Sequence, residues 1–262
     1  MSKPEIRNVV ILGAGRLAVN LSMAIRKNGY TVVEVYNRTE SKGKELARKL
    51  KATYVEDPEK LTQDAGLYIL AVSDAAIPAL LGRLRTGNRL IVHTSGAVDM
   101  EVLRQVSTNF GVIYPPQTFS ADSKLRFRNV PLCIEASSAA NLRLLKDFAG
   151  TLSEKVYLIN SRQRKILHLS AVFASNFTNF MMAISEELLL ENGMDFGILE
   201  PIIRQTADNA SSGDVFKMQT GPAVREDLET IRTHLELLSA HPDYKEIYDL
   251  ITRNIIKRKI KP

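Results

Sequence analysis

The chain has 262 residues, 45% hydrophobic and 24% charged, with a formal net charge of +6, four histidines and a single cysteine. That is enough apolar material for one large or two medium domains, but no run approaches the ~20 apolar residues of a membrane span. Cys133 alone forms no intramolecular disulfide, and His93, His168, His234 and His241 show no metal-ligand spacing.

The charge suits anionic small molecules rather than nucleic acid. Aromatic and basic residues do not interleave, and the one dense basic run, Lys257-Arg258-Lys259, reads as a terminal tail. Met1 to Arg7 leads straight into a strand without a signal-peptide pattern, so a cytoplasmic protein is expected.

The first strand is the apolar run Val9-Val10-Ile11-Leu12. It enters Gly13-Ala14-Gly15-Arg16-Leu17-Ala18, which matches the dinucleotide-binding fingerprint with alanine in the third glycine position. Gly13 permits a tight turn, Gly15 lets backbone approach a pyrophosphate, and Ala18 lets the helix pack closely on the strand. The helix from Ala18 to Lys27 would direct free N–H groups, and its positive dipole end, at the phosphates. Gly13, Ala14, Gly15, Arg16 and Leu17 are thus cofactor-binding candidates.

Asn28-Gly29 ends that helix, and a second strand over Thr31 to Tyr36 runs into Asn37-Arg38-Thr39. An acidic residue at this strand end binds the ribose of NAD, whereas arginine accommodates the 2′-phosphate of NADP. Asn37, Arg38 and Thr39 therefore favour NADP over NAD. Glu34, the alternative ribose ligand, falls inside the strand.

A helix over Glu40 to Leu50 precedes a short strand at Ala52 to Val55. Three buried-strand runs follow: Leu67 to Val72, ending in Ser73-Asp74; Leu90 to Val92, ending in His93-Thr94-Ser95-Gly96; and Gly111 to Ile113, ending in Tyr114-Pro115-Pro116-Gln117. Alternating strands and helices imply an α/β Rossmann fold with a doubly wound, mostly parallel sheet, whose ligand lies beyond the carboxyl ends of the strands. Ser73 and His93 are accordingly expected at the cofactor, Ser95 at the reaction, and Thr94, Gly96 and Gln117 at the substrate. Ser95 equally suits a helix N-cap before Asp99.

Further strands read at Val130 to Glu135 and Lys155 to Ile159, around a helix from Ser138 to Ala149. No strand pattern follows residue 160. Ser161 to Asn192 lacks proline and glycine and reads as one long helix, with further helices at Gly197 to Asn209, Arg225 to Ser239 and Tyr244 to Lys257. The expected division is a Rossmann domain over 1–160 and an all-helical domain, led by that long helix, over 161–262. His168 and Asn176 lie eight residues apart, about 80° around an ideal helix, so both can face one cleft. Histidine is suited to proton delivery and an asparagine amide to holding a substrate oxygen.

A Rossmann domain followed by helices resembles the 6-phosphogluconate dehydrogenase-like superfamily, which includes pyrroline-5-carboxylate and ketopantoate reductases. Within it the chain is similar to a bacterial NADP oxidoreductase family. The residues carrying the resemblance are His93-Thr94-Ser95-Gly96-Ala97, Tyr114-Pro115-Pro116-Gln117-Thr118-Phe119, His168 through Asn176, and Thr220-Gly221-Pro222 with Arg225 and Asp227. Tyr114 stands where the family usually has histidine, and Glu226 interrupts its Arg-Gly-Asp. Val172 occupies the position of the lysine that β-hydroxyacid dehydrogenases use four residues before the helix asparagine.

The resemblance implies an NADP-dependent oxidoreductase acting on a small carbonyl or imine compound that bears a carboxylate. It also implies a homodimer formed through the helical domain, with Arg225 and Asp227 reaching a cleft or pairing at a helix start. The missing lysine leaves two other readings open. One is a dinucleotide-binding redox sensor without turnover; the other is hydride exchange between NADP and a deazaflavin.

Overall fold

The computed structural model describes residues 6–119 and 126–259. The N-terminal stretch read as lacking a signal peptide therefore lies mostly outside the described residues. Contacts divide the chain into two compact units, residues 1–176 and 177–262.

The first unit is built on one sheet of eight strands: β1 Asn8–Leu12, β2 Thr31–Tyr36, β3 Thr53–Val55, β4 Leu67–Leu70, β5 Leu90–His93, β6 Phe110–Tyr114, β7 Leu132–Ala136 and β8 Val156–Leu158. Their order is β3-β2-β1-β4-β5-β6-β7-β8. The first six are parallel, β7 runs antiparallel to β6, and β8 is parallel to β7. The order reverses between β1 and β4, which is where a doubly wound sheet opens a crevice.

The apolar strand runs are continuous because both faces of the sheet are covered. Val9 and Ile11 enter one core cluster with Leu21, Ile25, Leu46 and Phe148; Val10 and Leu12 enter another with Ile77, Leu81 and Phe110. The first cluster draws on α1 (Arg16–Lys27), α2 (Glu40–Leu50) and α4 (Ala139–Leu152), and the second on the short α3 (Ile77–Leu81). Ala18 is 1% exposed within the first cluster, as close helix–strand packing requires.

The helix expected over 161–192 is not uniform. It comprises α5 (Ser161–Ala171), a π-helical turn over Val172–Phe177, and α6 (Thr178–Glu191). Asn160 and Gln163 form a reciprocal capping box at its start, and Gly193, at φ 71°, follows its end. The expected boundary at Ser161 differs from the division by contacts, which groups α5 with the sheet.

The second unit holds α6, α7 (Glu200–Ser212), α8 (Pro222–Arg225), α9 (Leu228–Leu237) and α10 (Pro242–Lys259). Among its described residues only Ala223, Ile231, Leu238 and Thr252 are buried. Lys257-Arg258-Lys259 is no free tail but the last turn of α10, with the Arg258 guanidinium over the Phe216 ring at 4.8 Å. Among the described residues, no helix is long and apolar enough to cross a membrane, and no cluster of side chains could hold a metal.

Candidate active site

Two cavities open along the carboxyl edge of the parallel strands, both within the first unit. The first, of about 650 Å³, is lined by the glycine turn, by Asn37, Arg38, Thr39 and Lys42 after β2, and by Ala71, Val72 and Ser73 after β4. The second, of about 570 Å³, takes Leu17 from α1, Thr94, Ser95 and Gly96 after β5, Tyr114 to Phe119 after β6, and His168 with residues of the π turn. Val72 lines both.

The glycine turn has the geometry the fingerprint demands. Gly13 has φ 122°, and a Cβ there would lie 2.2 Å from the Ala71 carbonyl oxygen. Gly15 has an unstrained φ of −76°, and beyond its chain neighbours none of the described residues places an atom within 4 Å of where its Cβ would be. Nothing among the described residues requires glycine at 15; a pyrophosphate approaching the backbone does. Arg16 opens α1 as an exposed residue outside the lining of either cavity, whereas Leu17 faces the second.

Asn37 proves to be a brace. Its Oδ1 accepts the Ala14 N–H at 3.0 Å and its Nδ2 donates to the Thr39 carbonyl at 2.8 Å, tying the end of β2 to the glycine turn. Arg38 and Lys42 line the same cavity with Arg83, which is paired with Asp57 at 2.9 Å. Glu34 is engaged elsewhere, accepting the Thr62 N–H at 2.8 Å. The residues present therefore fit a phosphorylated dinucleotide, with cations where a 2′-phosphate would lie.

In the second cavity the expected reaction-site residues converge. His168 Nδ1 is 3.2 Å from the Tyr114 hydroxyl, and burial pushes the Tyr114 phenol above its usual pKa, so it stays protonated. When Tyr114 donates to Nδ1, the imidazole N–H is the one on Nε2. Ser95 Oγ accepts the N–H groups of Ala97 and Val98 at 3.1 and 3.0 Å, leaving its own hydrogen free to donate. The Ser95 side chain thus closes its own loop, while Asp99 caps the following 3₁₀ turn. Thr94 Oγ1 donates to the Leu70 carbonyl at 3.3 Å.

The π turn brings Val172, Ala174, Ser175 and Asn176 onto one wall with His168. Such turns add a residue to the helical repeat and re-aim side chains, often at functional sites. Ser175 Oγ meets Thr118 Oγ1 at 3.3 Å, joining this wall to the loop that carries Gln117. Ser73 lines the first cavity, and its side chain makes no capping bond.

His93 is not brought to the cavity surface. It is fully buried, its Nδ1 accepts the Ser95 N–H at 3.2 Å, and burial, with the nearby Arg164 charge second, lowers its pKa to about 4. Arg225 and Asp227 belong to the second unit. There Asp227 caps α9 by accepting from Thr230 N–H and Oγ1 at 3.1 and 2.8 Å, and these bonds, with the nearby Arg225 charge after them, hold its carboxyl below the usual range. Glu226 between them takes a left-handed φ of 56°, the conformation for which a glycine is suited.

One residue the sequence reading passed over is Arg164. It is wholly buried, paired with Glu135 on β7 at 2.7 Å, and donates to the carbonyls of Ser95, Gly96 and Val98. In sequence it lies in Ser161-Arg162-Gln163-Arg164-Lys165, which resembles any solvated helix start.

The fold and these cavities define a Rossmann-type dinucleotide-binding protein with an appended helical unit. A Rossmann-like domain model matches residues 2–115, and a domain of unknown function, DUF2520, matches residues 130–255. A Bacteroides fragilis structure described as a "putative NADP oxidoreductase" is 40% identical over 98% of this chain and 100% of its own, with a TM-score of 0.90. The chain belongs to this family of Rossmann-like proteins with a DUF2520 domain.

More distant structures share the fold. A reductive aminase from Aspergillus terreus, in complex with NADPH and ethyl-5-oxohexanoate, is 11% identical, covering 97% of this chain and 94% of its own at a TM-score of 0.75. A 1-pyrroline-5-carboxylate reductase from Streptococcus pyogenes is 13% identical, covering 95% and 98%, at 0.63. No curated protein matches the sequence.

Proposed function

We propose that the chain is an NADP-dependent oxidoreductase that reduces a small imine or carbonyl compound. The observation that carries this reading is the meeting of His168, Tyr114, Ser95 and Asn176 around one cavity, with Val72 shared between it and the groove of the glycine turn. The relatives support the chemistry, since they include the Bacteroides fragilis structure described as a "putative NADP oxidoreductase", a reductive aminase in complex with NADPH and a 1-pyrroline-5-carboxylate reductase.

Hydride transfer is the chemistry that NADPH supplies when bound. Gly13, Ala14, Gly15 and Ser73 would hold its pyrophosphate side, and Arg38, Thr39 and Lys42 its 2′-phosphate. His168 passes its Nε2 proton to the reduced nitrogen or oxygen as its Nδ1 takes the proton of the Tyr114 hydroxyl, which solvent then restores to Tyr114. Ser95 donates its hydroxyl hydrogen, and Asn176 its amide, to orient a polar substrate group such as a carboxylate. Val172 leaves an apolar wall where the related dehydrogenases place lysine.

The helical unit we assign to a homodimer interface. Leu190, Ile198, Ile202, Phe216 and Leu237 are 62%, 66%, 62%, 70% and 73% exposed, far more apolar surface than a unit with four buried side chains can leave in water. We take the partner to be a second copy of the chain.

The test is NADPH oxidation across a panel of cyclic imines, ketone–amine pairs and keto acids. Turnover of one class, lost in His168→Asn with NADPH binding intact, is the expected result. Tight NADPH binding with no oxidation of any member would instead favour a sensor, and turnover only with a deazaflavin would favour hydride exchange.

A further inference from the structure

Arg164 is among the largest fully buried side chains of the described residues, at 0% exposure. A guanidinium has five donors and cannot shed its charge, so in a dry interior each N–H needs an acceptor. Nη2 donates to Glu135 Oε1 at 2.7 Å and Ser161 Oγ at 3.0 Å, and Nε to the same carboxylate oxygen at 3.3 Å. Ser161 Oγ in turn donates to Glu135 at 2.6 Å.

The remaining nitrogen, Nη1, faces the loop after β5. It donates to the carbonyls of Ser95 at 2.9 Å, Gly96 at 3.3 Å and Val98 at 2.7 Å. Three carbonyls of a four-residue loop thus turn toward one cation. From below, the Ser95 N–H is held by His93 Nδ1 at 3.2 Å. The loop's own hydrogen bonds, Ala97 and Val98 N–H to Ser95 Oγ, fold it around this point.

His168 lies one helical turn beyond Arg164 on α5, so the two project from the same face. Its ring rests where a Gly96 Cβ would be, 2.7 Å from Cγ and Nδ1. One helix therefore grips the loop twice, at its carbonyls through Arg164 and at Gly96 through His168.

We propose that Arg164, oriented by Glu135 and Ser161, is a positioning residue that sets the Ser95–Gly96 wall against the His168 imidazole. It touches neither the dinucleotide groove nor the substrate cavity. Its effect on turnover rests on the oxidoreductase reading; its effect on the loop does not.

The test uses full-length Arg164→Met/Glu135→Met, which removes both buried charges together and so avoids stranding one, and Arg164→Lys, which keeps the charge but loses the fork. Folding is read by circular dichroism, the loop by hydrogen exchange at Ala97 and Val98, and His168 by its imidazole NMR signals. NADPH affinity should stay within about twofold, while exchange at Ala97 and Val98 should rise at least about tenfold and the His168 signals should move. With an imine that wild type reduces, kcat should fall about tenfold or more, with KM changing less.

The lysine variant should lie between wild type and the double variant in exchange. A double variant that folds with wild-type exchange and His168 signals would overturn the proposal. So would wild-type values in Arg164→Lys, which decides the matter should the double variant not fold. If wild type oxidises NADPH with no substrate, the functional reading fails, and exchange and NMR still decide the role of Arg164.

Discussion

Gly96 and His168 are in such close register that the imidazole fills the space a methyl group on residue 96 would need, 2.7 Å from two of its ring atoms. Backbone on one side and the Tyr114 hydroxyl on the other fix the ring. Gly96→Ala must displace the imidazole or the loop, and so disturb the Tyr114 contact at Nδ1. Displacing a reacting group by an ångström costs up to about 100-fold in rate, and overpacking about 1–3 kcal/mol in stability. Steady-state assays should show kcat down at least tenfold with NADPH affinity unchanged; a variant as active as wild type would remove His168 from the chemistry.

Arg38 lines the dinucleotide groove directly after β2, with Lys42 on the same wall. Charge-assisted hydrogen bonds contribute about 1.5–3 kcal/mol each, so Arg38→Ala should weaken NADPH binding by about 10- to 100-fold. NADH, lacking the 2′-phosphate, should bind the variant as it binds wild type. Fluorescence titration with both dinucleotides measures the ratio, and equal losses would sink the assignment to the 2′-phosphate.

The two glycines of the turn should fail differently. Gly13→Ala combines a φ of 122° with a contact of 2.2 Å to the Ala71 carbonyl, so the protein itself is strained. A loss of several kcal/mol is expected, roughly the upper range for single substitutions, with dinucleotide binding abolished. Gly15→Ala meets, beyond its chain neighbours, no atom of the described residues within 4 Å and needs no unusual φ. Its melting temperature should match wild type while its NADPH affinity falls. If Gly15→Ala bound NADPH normally, the pyrophosphate would lie elsewhere.

Much of this site was legible because its signals are local. The run from Val9 to Leu12, the glycine turn and the polar strand ends announce a strand edge and a crevice, and the sheet order delivers them there. What was not legible depends on contacts between distant segments. Arg164 meets Glu135 and Ser95 across 29 and 69 residues, and nothing in its neighbours marks it as buried. The π turn has no signature in Val-Phe-Ala-Ser-Asn-Phe, because those residues read equally well as ordinary α-helix. His93 was misplaced for a related reason: a polar residue at a strand end can face the crevice or the interior, and here Nδ1 turns inward to the Ser95 N–H.

The helical unit should be unstable as a monomer. Its exposed Leu190, Ile198, Ile202 and Leu237 need an apolar partner, and self-association through a two-fold axis is the commonest solution. Sedimentation should give twice the mass of the chain. Ile202→Glu, which places a charge in that surface, should shift the population to monomer and lower the melting temperature. A wild-type protein that sediments as a monomer at micromolar concentration would rule this interface out.

Acid should destabilise the protein through His93. The group is fully buried, and its pKa falls from about 6.5 in the unfolded chain to about 4 in the folded one. Between these values the unfolded chain binds a proton that the folded protein refuses, so stability rises with pH across the window and is lost as pH drops through it. At about 1.4 kcal/mol per unit, the full loss from pH 7 to pH 4 is on the order of 3 kcal/mol from this residue. His93→Asn places an amide oxygen at the Nδ1 position, toward the Ser95 N–H, but does not titrate. Urea melts of wild type and His93→Asn at pH 7 and pH 4.5 should therefore show a steeper acid loss for wild type. Parallel losses in the two proteins would mean that other groups, not His93, set the acid limit.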